Sequence, residues 1–97
     1  MKINGLAALR NHIQNYSKSK KWIENWISDA RSSQWTTPHQ IKQHYASCSF
    51  LPGNVVIFNV CGNDFRLETV VAYKNGLVFV RWIGTHADYT RRFKKQP

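Results

Sequence analysis

Apolar residues recur at helical spacing in the first third of the chain. Residues 6–16 predict a short amphipathic helix whose apolar stripe is Leu6, Leu9, Ile13 and Tyr16. Residues 20–30 predict a second helix, with a stripe of Trp22, Ile23, Trp26, Ile27 and Ala30. The connection between them is short, which favours an antiparallel helix pair. We interpret both stripes as core and not as binding surfaces.

A third, shorter helix is predicted after Thr37 and Pro38, because threonine caps helices and proline fits the first helical position. Residues 39–45 would form this short helix or a turn. Residues 47–51 lack a clear period and are predicted to be irregular. Pro52-Gly53-Asn54 then predicts a turn.

The second half of the chain is rich in β-branched and aromatic residues in short runs. Val55–Val60, residues 65–73 and residues 77–83 predict three consecutive antiparallel strands. Gly62-Asn63 and Asn75-Gly76 are typical of two-residue hairpin turns.

Gly84 is predicted to end the last strand, and Thr85 or His86 to begin a short C-terminal helix. The predicted fold is therefore one α+β domain over residues 1–97. Two or three N-terminal helices would pack on a sheet of three or four antiparallel strands.

The turn predictions fix which residues face each other, since strand side chains alternate between the two sheet faces. A two-residue turn at Asn75-Gly76 would place Tyr73 opposite Val78 and Val70 opposite Arg81. The face predicted to lie beneath the helices carries Phe65, Leu67, Thr69, Val71, Tyr73, Val78, Val80 and Trp82. The other, which we call the arginine face, carries Arg66, Glu68, Val70, Ala72, Phe79, Arg81 and Ile83.

The first hairpin adds an amide to the arginine face. A two-residue turn at Gly62-Asn63 would place Asn59 opposite Arg66, and Ile57 opposite Glu68. A slip of one residue would send Asn59 to the other face.

The charge balance points to a polyanionic partner. The 97 residues include 14 Lys and Arg against 5 Asp and Glu, a formal charge of +9. Nucleic acid is favoured over an anionic membrane. No apolar run approaches a membrane span and no signal-peptide pattern opens the chain, so we expect a cytoplasmic protein.

Metal and disulfide chemistry are not indicated. Cys48 and Cys61 are far apart and lack the Cys-x-x-Cys spacing, and we expect both to be reduced thiols. His39 and His44 lie five apart with no other ligand-type residue beside them. We therefore expect no metal and no cofactor.

Arg66 and Arg81 interrupt apolar strands, and two interpretations are open. They are surface arginines, one of them paired with Glu68, or they form a clamp for phosphate, whose geometry the guanidinium fork matches. In the second case Phe79 and Tyr89 are candidates for stacking on unpaired bases.

His86, Asp88 and Tyr89 form a second set of candidates. Histidine moves protons near neutral pH, and RNA cleavage by its own 2′-hydroxyl needs proton transfer and charge neutralisation but no metal. A single histidine is more often a capping or hydrogen-bonding residue. Strict alternation puts Thr85 on the arginine face and His86 on the opposite one, unless Gly84 bulges.

The basic residues Arg91, Arg92, Lys94 and Lys95 lie close together near the C-terminus. They are either a solvated end or a source of nonspecific phosphate attraction.

Two segments carry a family resemblance. Residues 58–67, FNVCGNDFRL, and residues 80–89, VRWIGTHADY, resemble the HigB-type toxins of bacterial toxin–antitoxin systems, within the RelE-like superfamily. The helical half matches more loosely. The resemblance implies an mRNA interferase that enters the ribosomal A site and cuts the translated message. It also implies a HigA-like helix-turn-helix antitoxin as partner.

The resemblance also implies residue roles. Arg66 and Arg81 would bind the scissile phosphate, His86 would be the leading acid or base, and Tyr89 would orient a base. Asp88 would orient His86 or take part in proton transfer. Asn59 and Asn63 would shape the loop and the arginine face. Apart from the resemblance, the predicted RNA-binding set is Asn59, Asn63, Lys74, Phe79, Arg91, Arg92, Lys94 and Lys95. Cys61 replaces a usual glycine and Thr90 a usual acidic residue.

Two other functions fit the same residues. A non-catalytic RNA- or DNA-binding module would bind in a salt-sensitive way without cleavage. An inactive relative would bind only an antitoxin-like repressor through its basic face.

Overall fold

The computed structural model describes residues 1–94, with side chains described through Arg92. In chain order the elements are β1 (Lys2–Asn4), α1 (Leu6–Asn15), a 3-10 turn (Ser17–Ser19), α2 (Lys20–Ser32), α3 (Pro38–His44), β2 (Ser49–Leu51), β3 (Val55–Val60), β4 (Phe65–Ala72), a second 3-10 turn (Tyr73–Asn75), β5 (Leu77–Thr85) and α4 (His86–Lys94). The predicted α+β class, the three N-terminal helices and the C-terminal helix are confirmed. No described helix has the length and apolarity needed to cross a membrane.

The sheet has five strands in the order β1-β5-β4-β3-β2. β1 runs parallel to β5, and the other neighbours are antiparallel. The predicted sheet of three or four antiparallel strands is therefore too small, and the prediction that residues 47–51 are irregular is wrong for Ser49–Leu51. Both extra strands are three residues long at sheet edges, and β2 is exposed throughout, so neither carries an apolar period.

The apolar stripes of α1 and α2 pack in or against the core as predicted, except for Tyr16, which was predicted to be core and is 40% exposed. Leu9, Ile23 and Trp26 are fully buried against one face of the sheet. The Trp26 and Phe58 rings meet edge to face, with centroids 5.5 Å apart. Burial of these large side chains is the main stabilising term for a domain of this size.

The hairpin of β3 and β4 has the predicted register, with Asn59 opposite Arg66 and Ile57 opposite Glu68. Its loop places Cys61 and Gly62 in the left-handed region, at φ 53° and 69°. Asn59 therefore belongs to the arginine face.

The hairpin of β4 and β5 differs from the prediction. Val78 lies opposite Val71 and not Tyr73, while Val70 lies opposite Phe79 and not Arg81. The reason is the longer connection, since residues 73–75 form a 3-10 turn and Gly76 follows at φ 65°.

A β-bulge then reverses the alternation of β5. Thr69 lies opposite Val80 and Glu68 opposite Trp82, which leaves Arg81 as the extra residue. Trp82 consequently faces the same side as Glu68, and Ile83 packs on the core. The predicted faces of Trp82 and Ile83 were wrong.

Gly84 does not end the strand, because β5 continues to Thr85. The irregularity lies at Arg81 instead.

Candidate functional site

Helix α4 lies across one end of the arginine face. Glu68 of β4 is 7% exposed and Arg66 is 8% exposed, although both carry charge. Trp82, re-aimed by the bulge, joins them from β5. The Arg92 guanidinium of α4 lies 4.4 Å from the Trp82 ring centroid, a cation–π contact. The sheet and α4 thus enclose a small polar region outside the main core.

Glu68 is the shared anion of this region. Its Oε2 lies 3.5 Å from Arg81 Nε, and its Oε1 lies 3.4 Å from Arg92 Nη1. The Glu68 side chain is 9% exposed, whereas those of Arg81 and Arg92 are 53% and 38% exposed. The predicted pairing of one strand arginine with Glu68 is therefore observed at Arg81. The guanidinium groups of Arg81 and Arg92 remain partly exposed to solvent.

Arg66 lies deeper than the other two arginines. Its Nη1 donates to the carbonyl oxygen of Phe65 at 2.9 Å, and its Nη2 donates to Asn63 Oδ1 at 3.4 Å. These bonds tie Arg66 to the loop between β3 and β4. A buried guanidinium stays charged, and its field is less screened than that of a surface charge.

Tyr89 of α4 completes the set. Its ring centroid is 6.2 Å from that of Trp82. Burial raises the pKa of the Tyr89 phenol and the charge of Glu68 raises it further, while Arg66 and Arg92 oppose the shift. The phenol is therefore protonated at neutral pH and can donate a hydrogen bond. We call Arg66, Glu68, Arg81, Trp82, Tyr89 and Arg92 the Glu68 cluster.

Gly84 is needed for the position of Trp82. A Cβ added at Gly84 would lie 2.6 Å from Cζ2 and 2.7 Å from Cη2 of the Trp82 ring. The indole therefore covers the position that any other side chain would take.

His86 is the first residue of α4 and is exposed. Its backbone N–H donates to the carbonyl oxygen of Asp64 at 3.0 Å. The side chain of Thr85 caps the helix, since its Oγ1 accepts from the Asp88 N–H at 3.1 Å. Among the described residues, the imidazole of His86 has no hydrogen bond or ion pair, so no such contact joins it to the Glu68 cluster.

Asp88 is paired with Arg91. The hydrogen bond from Arg91 is the main reason that the pKa of Asp88 lies below its ordinary value. Asp88 is therefore ionised at neutral pH and unsuited to donate a proton.

Other predicted residues are dispersed. The Asn59 amide donates to the Ser47 carbonyl at 3.3 Å and so points away along the sheet. Phe79 lies opposite Val70, about 13 Å along the strands from Arg66. Lys74, in the turn between β4 and β5, lies about 20 Å or more from Arg66. The Lys94 side chain and Lys95 lie outside the described residues.

The structure adds Glu68, Trp82 and the pairing of Arg92 to the residues singled out from sequence. Trp82 was assigned to the core because alternation carries no sign of the bulge. Glu68 could have been identified from the sequence, because it lies two residues from Arg66 on the same strand face. Within the described residues, no three His, Cys, Asp or Glu side chains converge as ligands of a metal would.

The chain matches the model of a known protein family. The model of a family described as HigB_toxin, the RelE-like toxic component of a toxin–antitoxin system, matches residues 19–92. The matched range holds every member of the Glu68 cluster and leaves out β1 and α1. No curated protein matches the chain.

Proposed function

The chain belongs to the HigB toxin family, RelE-like toxic components of toxin–antitoxin systems, and from that premise we propose that it is a metal-independent endoribonuclease that cuts messenger RNA in the ribosomal A site. The observation that supports this most is the Glu68 cluster. It presents Arg81 and Arg92, both partly exposed, beside the aromatic rings of Trp82 and Tyr89. Cations beside rings suit a phosphate with an unstacked base.

The reaction needs little from the protein. The 2′-hydroxyl of the message attacks the adjacent phosphorus, loses its proton, and the 5′-oxygen leaves with a proton. Between these events the phosphate gains negative charge. Arg81 is held by one ion pair of 3.5 Å and is half-exposed, so it can exchange the Glu68 carboxylate for a phosphate oxygen. Arg92 supplies a second guanidinium.

In this proposal Arg66 contributes its positive charge and does not bind the message. Its hydrogen bonds to Phe65 and Asn63 hold the guanidinium beneath α4, where it adds positive potential without direct contact with the message. This differs from the role that the family resemblance implies, in which Arg66 binds the phosphate itself.

Proton transfer is assigned to His86 and Tyr89. His86 is exposed at the start of α4, so a message lying across that end of the helix would reach its imidazole. Tyr89, kept protonated by burial, donates a hydrogen bond to the phosphate or to the leaving oxygen.

The family also implies an antitoxin partner. We propose a HigA-like helix-turn-helix protein that neutralises the toxin. The proposed target, the translating ribosome, places the protein in the cytoplasm.

Mapping of RNA ends tests the proposal. The toxin is induced briefly, and new 5′ ends are mapped on a reporter message and on the same message without its start codon. We expect cuts in frame within the translated region, and none when translation is blocked. Equal cutting of both messages would contradict ribosome dependence. Intact messages, with salt-sensitive RNA binding, would instead support a non-catalytic module.

A further inference from the structure

A groove of about 330 Å³ runs between α1 and the outer edge of β5. We call it the α1 groove; its lining includes Asn11, Asn15, Tyr16, Arg81, Thr85 and Asp88. We propose that the α1 groove binds one unpaired nucleobase of the message, next to the phosphate held by Arg81. This inference rests on the proposed RNA cleavage and adds a base-reading site to it.

Close approach of the chain to β5 creates the groove. Gly5 has φ 98°, and a Cβ there would lie 2.8 Å from the carbonyl oxygen of Val80. The chain touches the strand at this point and turns into α1, which ends the pairing of β1 with β5 at Asn4 and Phe79.

Residues 80–85 of β5 therefore have no strand partner on their outer edge among the described residues. The backbone N–H and C=O groups of this stretch that do not pair with β4 point to that outer edge, where α1 lies alongside. An unpaired strand edge offers donors and acceptors in a fixed order, which can bond the edge of a base.

Tyr16 provides a stacking surface in the groove. Its ring centroid lies 4.9 Å from that of His12 and 5.1 Å from that of Phe65, and both of these residues are buried. Tyr16 itself is 40% exposed. The ring is thus held from one side and open on the other, so that a base stacks on it with little loss of side-chain freedom.

Asn11 and Asn15 provide the polar recognition. They lie one turn apart on α1, both are exposed, and neither side chain is hydrogen-bonded to another described residue. A carboxamide carries a donor and an acceptor side by side, which matches the paired groups on the Watson–Crick edge of an unpaired base.

The size and position of the groove suit a single base. Its volume is near the lower end of the roughly 300–1,000 Å³ typical of small-ligand sites, and a duplex would not fit. Arg81 and Trp82 belong both to the groove and to the Glu68 cluster. A base in the groove therefore lies next to the phosphate at Arg81.

The test compares the double variant Asn11→Ala, Asn15→Ala with Gln14→Ala, which removes an exposed amide from the same helix outside the groove. Each protein cuts a translated reporter with all four bases at each position of a test codon. We expect the double variant to lose the preference at one position. At that position, the ratio of the cleavage rate with the preferred base to the rate with the least preferred base should fall by roughly 5- to 140-fold. This is the discrimination expected from one specific base-edge contact.

Tyr16→Leu should lower cutting at all bases by a similar factor, since one stacked base contributes on that scale. Gln14→Ala should cut as wild type does.

The outcomes separate this inference from the proposed function. If wild type cuts translated messages and the double variant keeps the same base preference, the α1 groove does not read the base and the cleavage proposal stands. A wild type without base preference would overturn the inference in the same way. If wild type leaves translated messages intact, the proposed function fails, and the role of the groove fails with it.

Discussion

Replacing Glu68 with glutamine should separate RNA binding from cleavage. The change keeps the shape of the side chain and removes the charge shared by Arg81 and Arg92, at 3.5 and 3.4 Å. Without that anion, Arg81 loses its ion pair, and Arg92 is positioned only by its contact with the Trp82 ring. The guanidinium groups of Arg81 and Arg92 would remain at the site, but their positions would be less well fixed.

The expected effect on stability is small. Arg81 and Arg92 are 53% and 38% exposed, so water can replace the lost carboxylate around both. Partly exposed pairs contribute about 0–1 kcal/mol each. If the free energy of unfolding falls by about 1 kcal/mol in total, the melting temperature falls by about 4–8 °C in a domain of this size.

The expected effect on cleavage is larger. A misplacement of about 1 Å at a catalytic group can lower a rate by roughly 100-fold, so we expect the single-turnover rate of Glu68→Gln to fall by roughly 10- to 100-fold. RNA affinity should rise several-fold, because the formal charge of +9 increases by one.

Glu24→Gln is the matched control. Glu24 is exposed on α2, and its replacement changes the net charge equally. Affinity is measured on an RNA with a 2′-deoxy sugar at the cut site, and cleavage on translated message. Equal cleavage rates for the two variants would refute the role of Glu68 in positioning the arginines.

Two predictions concern stability. Burial lowers the pKa of His12 below its ordinary 6.5, so the unfolded chain takes up the proton first, and the free energy of unfolding should decrease as pH falls below about 6.5. Urea titrations at several pH values should show this loss of unfolding free energy for wild type and for the exposed-site control His39→Gln, but not for His12→Phe. The same dependence of unfolding free energy on pH in all three proteins would contradict the prediction. Gly84→Ala would press a methyl group against the Trp82 ring and should destabilise the fold by about 1–3 kcal/mol in the same titration, whereas unchanged stability would contradict the packing described here.

Much of the architecture follows from local pattern. The core stripes of α1 and α2 and the ends of β3 were predictable, because periodicity over ten or more residues is hard to mistake. The pairing of Asn59 with Arg66 was predictable because a short glycine turn sets the register.

The site was less predictable, because it depends on one extra residue in β5. The segment from Val78 to Ile83 alternates well enough to be an unbroken strand, and alternation then hides Trp82 in the core. The pairing of Arg92 with Glu68 joins residues 24 positions apart and depends on how α4 lies on the sheet. The two short edge strands carry too few apolar residues to be recognised.

The assignment of Arg81 to the scissile phosphate is best decided by single-turnover cleavage of a translated message. Arg81→Ala is compared with Arg31→Ala, which removes an exposed arginine from the end of α2. Since Arg81 is half-exposed, both variants should melt close to wild type. We expect Arg81→Ala to cut roughly 100- to 1,000-fold more slowly and Arg31→Ala to cut as wild type does. A folded Arg81→Ala protein that cuts at the wild-type rate would contradict the site.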